Sequence, residues 1–228
     1  ISCSLVGSEM CIRDSFKTDD LKKCSRFWII LFKTILSKLY HWKIYVVGSV
    51  EYQYPNHLFQ AGYFLDKKYY DENTIDFKHL LLSEKNQSLL KDIQNSNSVG
   101  VHIRRGDYMT KQNLVIFGNI CTQKYYHDAI RIITEKVNDA VFYVFSDDIS
   151  WVQTHLDIPN AVYVNWNTGE SSIYDMYLMS SCKYNIIANS TFSYWAARLN
   201  KKTNMVIYPS KWYNTFTPDI FPESWCGI

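Results

Sequence analysis

From Ser98 onward, short continuous apolar runs alternate with segments of helical period, and the runs end in polar or charged residues. Residues 99–103, 141–145, 161–164, 184–188 and 204–208 read as strands. Residues 122–137, 149–156, 172–181 and 191–199 read as helices between them. In the first helix Tyr126, Ala129, Ile130, Ile133 and Val137 share one face, and the third carries Ile173, Met176, Tyr177 and Met179. Strands that are apolar throughout are buried on both sides. Separated by helices, they imply a doubly wound, Rossmann-like parallel sheet, an α/β fold. Ligands of such sheets bind at the carboxyl ends of the strands. The residues there are Arg104-Arg105-Gly106-Asp107, Ser146-Asp147-Asp148 and Asn189-Ser190-Thr191.

Upstream the texture changes. Residues 16–97 are rich in Lys, Tyr and Asp, with helical runs at 27–39 and 79–93 and an aromatic, partly strand-like stretch at 45–70. Asn95-Ser96-Asn97-Ser98 is polar punctuation, which divides the chain into 16–97 and 98–228. The apolar run 27–36 is interrupted by Lys33 and is too short to span a bilayer, so it reads as a core or interfacial helix. Residues 1–15 (ISCSLVGSEMCIRDS) have no amphipathic period, and their basic residue follows the apolar stretch, unlike a signal peptide. They read as a translated sequencing-adapter remnant, which makes Cys3 and Cys11 foreign and leaves the natural N-terminus missing.

An apolar fraction of 47% fits a packed core, and a net charge of +2 is too small for a nucleic-acid surface. The 18 Tyr, 12 Phe and 7 Trp suit a protein that handles bases and sugars, and equally a plain aromatic core. The 6 Cys include no Cys-x-x-Cys pair and no zinc-ligand spacing. They read as free thiols in a reducing compartment, so the expected location is cytoplasmic.

Neither a Gly-x-Gly-x-x-Gly nor a Walker-type loop occurs, so phosphates would need another holder. Adjacent arginines at a strand end supply planar forks matched to phosphate oxygens. Gly106 would permit a tight turn there, and Asp107 would orient one guanidinium. A surface turn with an Arg–Asp pair is the plainer alternative. The embedded Arg-Gly-Asp tripeptide is weak evidence for integrin binding, because this turn closes a buried strand. Ser190 and Thr191 open a helix, either as caps alone or as part of an anion site. Asp175, placed in mid-helix, would accept hydrogen bonds from a guanine edge or face solvent.

Taken together, His102-Ile-Arg-Arg-Gly-Asp-Tyr108, Tyr174-Asp-Met-Tyr-Leu-Met-Ser-Ser-Cys182 and Asn189-Ser-Thr-Phe-Ser-Tyr-Trp-Ala-Ala-Arg-Leu199 resemble three motifs of the α-1,2-fucosyltransferases, glycosyltransferase family 11. Gly62-Tyr63-Phe64 with Tyr69-Tyr70, and the tail from Pro218 to Trp225, resemble further segments of that family. The likeness runs from about Tyr45 to the end. The Gly-Gly-Leu-Gly-Asn-Gln-like segment that opens the family's first strand is not found. The resemblance therefore implies a two-domain GT-B architecture with an incomplete acceptor-side half at 16–97 and a GDP-sugar donor domain at 98–228.

The resemblance also implies roles. Arg104 contacts the β-phosphate of GDP, and Arg105 supports the turn or the phosphates, bracing it through Asp107. His102 and Asp175 recognise guanosine, while Ser190 and Thr191, with Phe192 beside them, hold phosphate at the helix start. GDP-fucose is then a donor substrate rather than a cofactor, and no metal is required. The partner is a glycan acceptor with a terminal galactose; a lipid-linked one would bring peripheral contact with the inner face of a membrane. The implied reaction is an inverting in-line displacement, with Asp107, Asp147, Asp148 and Glu170 as candidate general bases. A GDP-binding fragment without activity, and a transferase using another GDP-sugar or acceptor, are the competing readings.

Overall fold

The structure, a computed structural model, describes residues 79–228 and, upstream of them, the strands Phe16–Lys17, Tyr45–Gly48, Phe59–Gly62 and Asp76–Phe77. The chain divides into two compact units. In the first, Tyr45–Gly48 and Phe59–Gly62 pair in parallel, Tyr45 opposite Phe59 and Gly48 opposite Gly62. The helical run expected at 27–39, the Gly62-Tyr63-Phe64 and Tyr69-Tyr70 segments beyond Gly62, and the segment 1–15 lie outside the described residues.

The second unit comprises Phe77–Thr217 and Phe221–Ile228. It takes in a helix, α1 (Glu84–Asn95), that lies upstream of the boundary expected at 97/98. Ser83 fixes its start by accepting the Asn86 backbone N–H at 3.3 Å. The apolar residues 79–82 that suggested an earlier start are not helical. After α1 come β1 (Asn97–Ile103), α2 (Lys111–Phe117), α3 (Gln123–Lys136), β2 (Ala140–Ser146), α4 (Ile149–His155) and β3 (Ala161–Val164). The rest is α5 (Ser172–Ser180), β4 (Tyr184–Ile186), α6 (Thr191–Arg198), β5 (Met205–Tyr208) and β6 (Cys226–Gly227). The punctuation expected at 95–98 is already structured, since β1 begins at Asn97 and Ser98 is fully buried.

These strands form one six-stranded sheet in the order β6-β5-β4-β1-β2-β3, with every pairing parallel. This is the doubly wound Rossmann-type order. The direction of winding reverses between β1 and β4, and the ends of those two strands open a crevice. Residue alternation along β1 decides what faces each side. Val99, Val101 and Ile103 join the core with Ala129, Ile130 and Ile133 of α3 and Val152 of α4. The residues between them face the opposite helices: a Cβ on Gly100 would meet Met179 of α5 at 3.0 Å, and His102 stacks on Phe192 of α6. Two tyrosines of α3 tie down the strand ends beside the crevice. Tyr125 donates to the Ile187 carbonyl at 2.6 Å, and Tyr126 to the His102 carbonyl at 3.1 Å.

Candidate functional site

Arg104 follows β1 directly. One terminal nitrogen meets Asp107 at 2.8 Å and the other meets Asp147, after β2, at 3.1 Å. Both terminal nitrogens are thereby held in ion pairs, which fixes the orientation of the fork. Asp147 also accepts the backbone N–H of Arg105 at 2.9 Å. One carboxylate thus positions both the turn and the arginine.

Arg105 goes elsewhere. Its Nε donates to Asp148 at 3.2 Å, and its guanidinium lies 3.6 Å over the Trp151 ring. Trp151 in turn stacks on His155 at 4.6 Å. Asp148 caps α4 by accepting the Trp151 N–H at 3.1 Å. The expected brace between Arg105 and Asp107 is therefore not what the structure holds. Asp107 pairs with Arg104, and Arg105 is fixed by the residues that open α4.

Gly106 is needed for space rather than for an unusual φ. A Cβ there would lie 2.4 Å from Asp147 Oδ2, whereas among the described residues the glycine with a left-handed φ is Gly169. The turn expected at Gly106 is present as Gly106–Met109, whereas the helix α2 was not anticipated from the sequence, because none of its residues is fully buried.

On β1, two residues before Arg104, His102 is 5% exposed, and its ring stacks on Phe192 of α6 with centroids 5.1 Å apart. Burial, reinforced by the Arg104 charge, holds its pKa down at about 3, so the imidazole is neutral at neutral pH. Its Nδ1 is buried without a hydrogen-bond partner among the described residues. A buried unpaired ring nitrogen is costly unless a ligand completes it.

Ser190 is the N-cap residue of α6, yet its side chain makes no capping bond. Asn189 is structural. Its Nδ2 donates to the carbonyls of Phe117 (3.1 Å) and Trp212 (3.0 Å), and its own carbonyl accepts the Tyr108 hydroxyl at 2.9 Å. Asn214 Nδ2 caps the end of α2 through the Val115 and Gly118 carbonyls. These amides stitch the segment after β1 to the segment after β5, which steadies both lips of the crevice.

Asp175 does not sit in mid-helix. It lies in the first turn of α5, and Asn167 Nδ2 donates to its Oδ1 at 2.6 Å. Burial pushes its carboxyl up to about 7, against the lowering effect of the Asn167 hydrogen bond. The structure thus brings together His102 with Phe192 and Arg104 with Asp107 and Asp147, while the bonds of Asp175 run to Asn167. Of the candidate bases, Asp147 and Asp148 are engaged in holding the arginines, and Glu170 lies exposed in the short turn Gly169–Ser171. Among the described residues no three His, Cys, Asp or Glu side chains gather into a metal-binding group, and no helix is long and apolar enough to cross a membrane. Cys121, Cys182 and Cys226 are free thiols.

The domain is thus a Rossmann-ordered α/β sheet that carries an arginine fork and a neutral, stacked histidine at its switch point, where sheets of this kind take their ligands. The chain belongs to glycosyl transferase family 11, whose family model matches residues 21–228. It is 34% identical over 237 residues to the alpha-1,2-colitosyltransferase of Escherichia coli, an alignment covering 96% of this chain and 77% of that protein. It is 44% identical over 122 residues to the O-antigen biosynthesis glycosyltransferase WbnK of Escherichia coli, covering 53% of this chain and 40% of that one. It is 28% identical over 163 residues to galactoside alpha-(1,2)-fucosyltransferase 2 of Pongo pygmaeus, covering 66% of this chain and 48% of that one. The matched region spans less than half the length of the latter two proteins.

Proposed function

We propose that this chain carries the donor site of an inverting fucosyltransferase, which moves L-fucose from GDP-β-L-fucose to the 2-hydroxyl of a terminal galactose in a glycan. The observation that carries the reading is Arg104, held as an open fork between Asp107 and Asp147 where the sheet's winding reverses. The acceptor oxygen bonds the anomeric carbon as the bond from that carbon to the β-phosphate oxygen breaks, and the hydroxyl proton is released. Negative charge grows on the departing GDP, and Arg104, already oriented, strengthens its hold as it does so. An arginine supplies this charge stabilisation itself, so donor binding without a divalent ion is part of the proposal. Neutral His102, with its unpaired Nδ1 and the Phe192 ring behind it, and Asp175, a carboxylate acceptor for guanine N–H groups, recognise the nucleoside. Ser190 and Thr191 present the start of α6 to the phosphates.

A second donor is favoured by a specific observation, the 34% identity to a colitosyltransferase over 96% of this chain. Colitose is fucose without its 3-hydroxyl, so the same phosphate and base contacts serve either sugar. The test offers GDP-fucose and GDP-colitose separately with a β-galactoside acceptor and identifies the product by mass and anomeric NMR. An α-1,2-linked fucoside supports the proposal, and an α-1,2-linked colitoside supports the second donor. GDP binding with transfer of neither sugar overturns both in favour of a binding fragment.

A further inference from the structure

The sequence motifs leave out a buried polar chain on the α1 side of the sheet. Asn86, in the first turn of α1, is 1% exposed. Its Oδ1 accepts the Trp166 indole N–H at 2.7 Å and the Asn167 amide at 3.1 Å. Its Nδ2 donates to Asn167 Oδ1 at 2.9 Å, and Asn167 Nδ2 donates onward to Asp175 at 2.6 Å. An indole N–H can only donate, so the Asn86 atom it meets must be the oxygen. That fixes which way Asn86 points. The reciprocal amide pair then fixes Asn167, and the second hydrogen of Asn167 Nδ2 is left facing the carboxylate. The direction of the whole chain is dictated from Trp166 outward.

We propose that Asn167 is the positioning residue for Asp175, held in one orientation by Asn86 and Trp166 so that the carboxylate is presented to the purine edge. This rests on the reading of Asp175 as the guanine acceptor. It assigns a share of base selectivity to α1 and to the loop after β3, which lie outside the three motifs. A half-buried carboxylate is costly to keep oriented without a donor, and a short bond from a braced amide supplies one. The brace also opposes the burial that raises the Asp175 carboxyl.

The test is isothermal titration of the full chain with GDP and with IDP, which lacks the guanine 2-amino group. The readout is the ratio of the two dissociation constants, for wild type, Asp175→Asn, Asn167→Leu and Asn167→Ala. Asn167→Ala removes the donor to Asp175 without placing a second carboxyl beside it, and it stands in if Asn167→Leu unfolds. The expected result is that wild type prefers GDP, while Asp175→Asn and both Asn167 variants bring the ratio close to one. GDP affinity in the Asn167 variants should fall about tenfold, as for the loss of a hydrogen bond to a charged group. If Asp175→Asn abolishes the preference but folded Asn167 variants keep it, the positioning role is overturned and the base reading stands. If wild type shows no preference, or Asp175→Asn retains it, the guanine reading fails and the inference fails with it.

Discussion

Replacing Gly106 with alanine tests how Arg104 is held, without substituting any charged group. The new Cβ would lie 2.4 Å from Asp147 Oδ2. Carbon–oxygen contacts need about 3.3 Å, so the carboxylate must retreat by about 1 Å. Oδ2 is the atom that meets Arg104 at 3.1 Å, and a retreat of that size takes the pair out of hydrogen-bond range. A charge-assisted bond of this kind contributes roughly 1.5–3 kcal/mol when well shielded. Arg104 is 21% and Asp147 27% exposed, which brings the expected loss to about 1–2 kcal/mol, or about tenfold in GDP affinity. The carboxylate is displaced and not removed, so its field persists and what changes is the aim of the fork. The clash falls on the end of a side chain and not on backbone, so the fold should survive. The assay is GDP titration of wild type, Gly106→Ala, Asp147→Ala and the double variant, with melting curves beside them. Gly106→Ala should lose about tenfold in the wild-type background and little once Asp147 is alanine. Equal losses in both backgrounds, or no loss in either, would refute the reasoning.

Three further outcomes follow from the geometry. Arg104→Lys keeps the charge and loses the fork, so with GDP-fucose and a galactoside kcat should fall by about 10²–10³ while GDP still binds; Arg105→Lys loses the Trp151 stack and the Asp148 bond and should lower the melting temperature more than kcat. Asn189→Ala leaves the Phe117 and Trp212 carbonyls unsatisfied at roughly 1–3 kcal/mol each, and urea unfolding should show a total loss of about 2–6 kcal/mol. The Asp175 carboxyl is raised to about 7, above its ordinary value near 4, so between about pH 4 and 7 the folded state binds more protons than the unfolded one. This group's contribution to stability should therefore decline as pH rises through that window and then level off. GDP affinity should rise over the same direction, because only the carboxylate accepts two N–H groups; affinity that does not change between about pH 6 and 8 would contradict this.

The layered fold was legible because buried parallel strands are apolar along their whole length, as 141–145 and 161–164 show, and because α3 presents a clear face of Ala129, Ile130 and Ile133. The strand-end rule then pointed to Arg104, Asp147 and Asn189 before any pairing was known. What could not be read was which charges meet. Arg104 and Arg105 are adjacent, yet the turn sends one to Asp107 and Asp147 and the other to Asp148 and Trp151. No local rule separates them, since both partners after β2 come close only once the two strands pair. Helix α2 buries nothing and so left no period, and β6 is two residues long. Ser190 carried the usual cap signature, but the nearby Ser193 hydroxyl takes the Ala188 N–H at 3.2 Å and donates to the Ser190 carbonyl, while Ser190 itself caps nothing. The Asn86–Asn167 pair joins distant segments through amides alone, a contact that composition and period do not signal.

The central claim is that the crevice between β1 and β4 holds a guanosine diphosphate through Arg104. The most direct measurement is isothermal titration of GDP into wild type and Arg104→Ala in the presence of EDTA, with melting curves to show that both are folded. The account predicts that wild type binds without a divalent ion and that Arg104→Ala weakens binding by about 100-fold, the loss of a charge-assisted fork at a site with no glycine-rich phosphate loop. Equal affinity in the two proteins, or wild-type binding that appears only on adding Mg²⁺ or Mn²⁺, would contradict it.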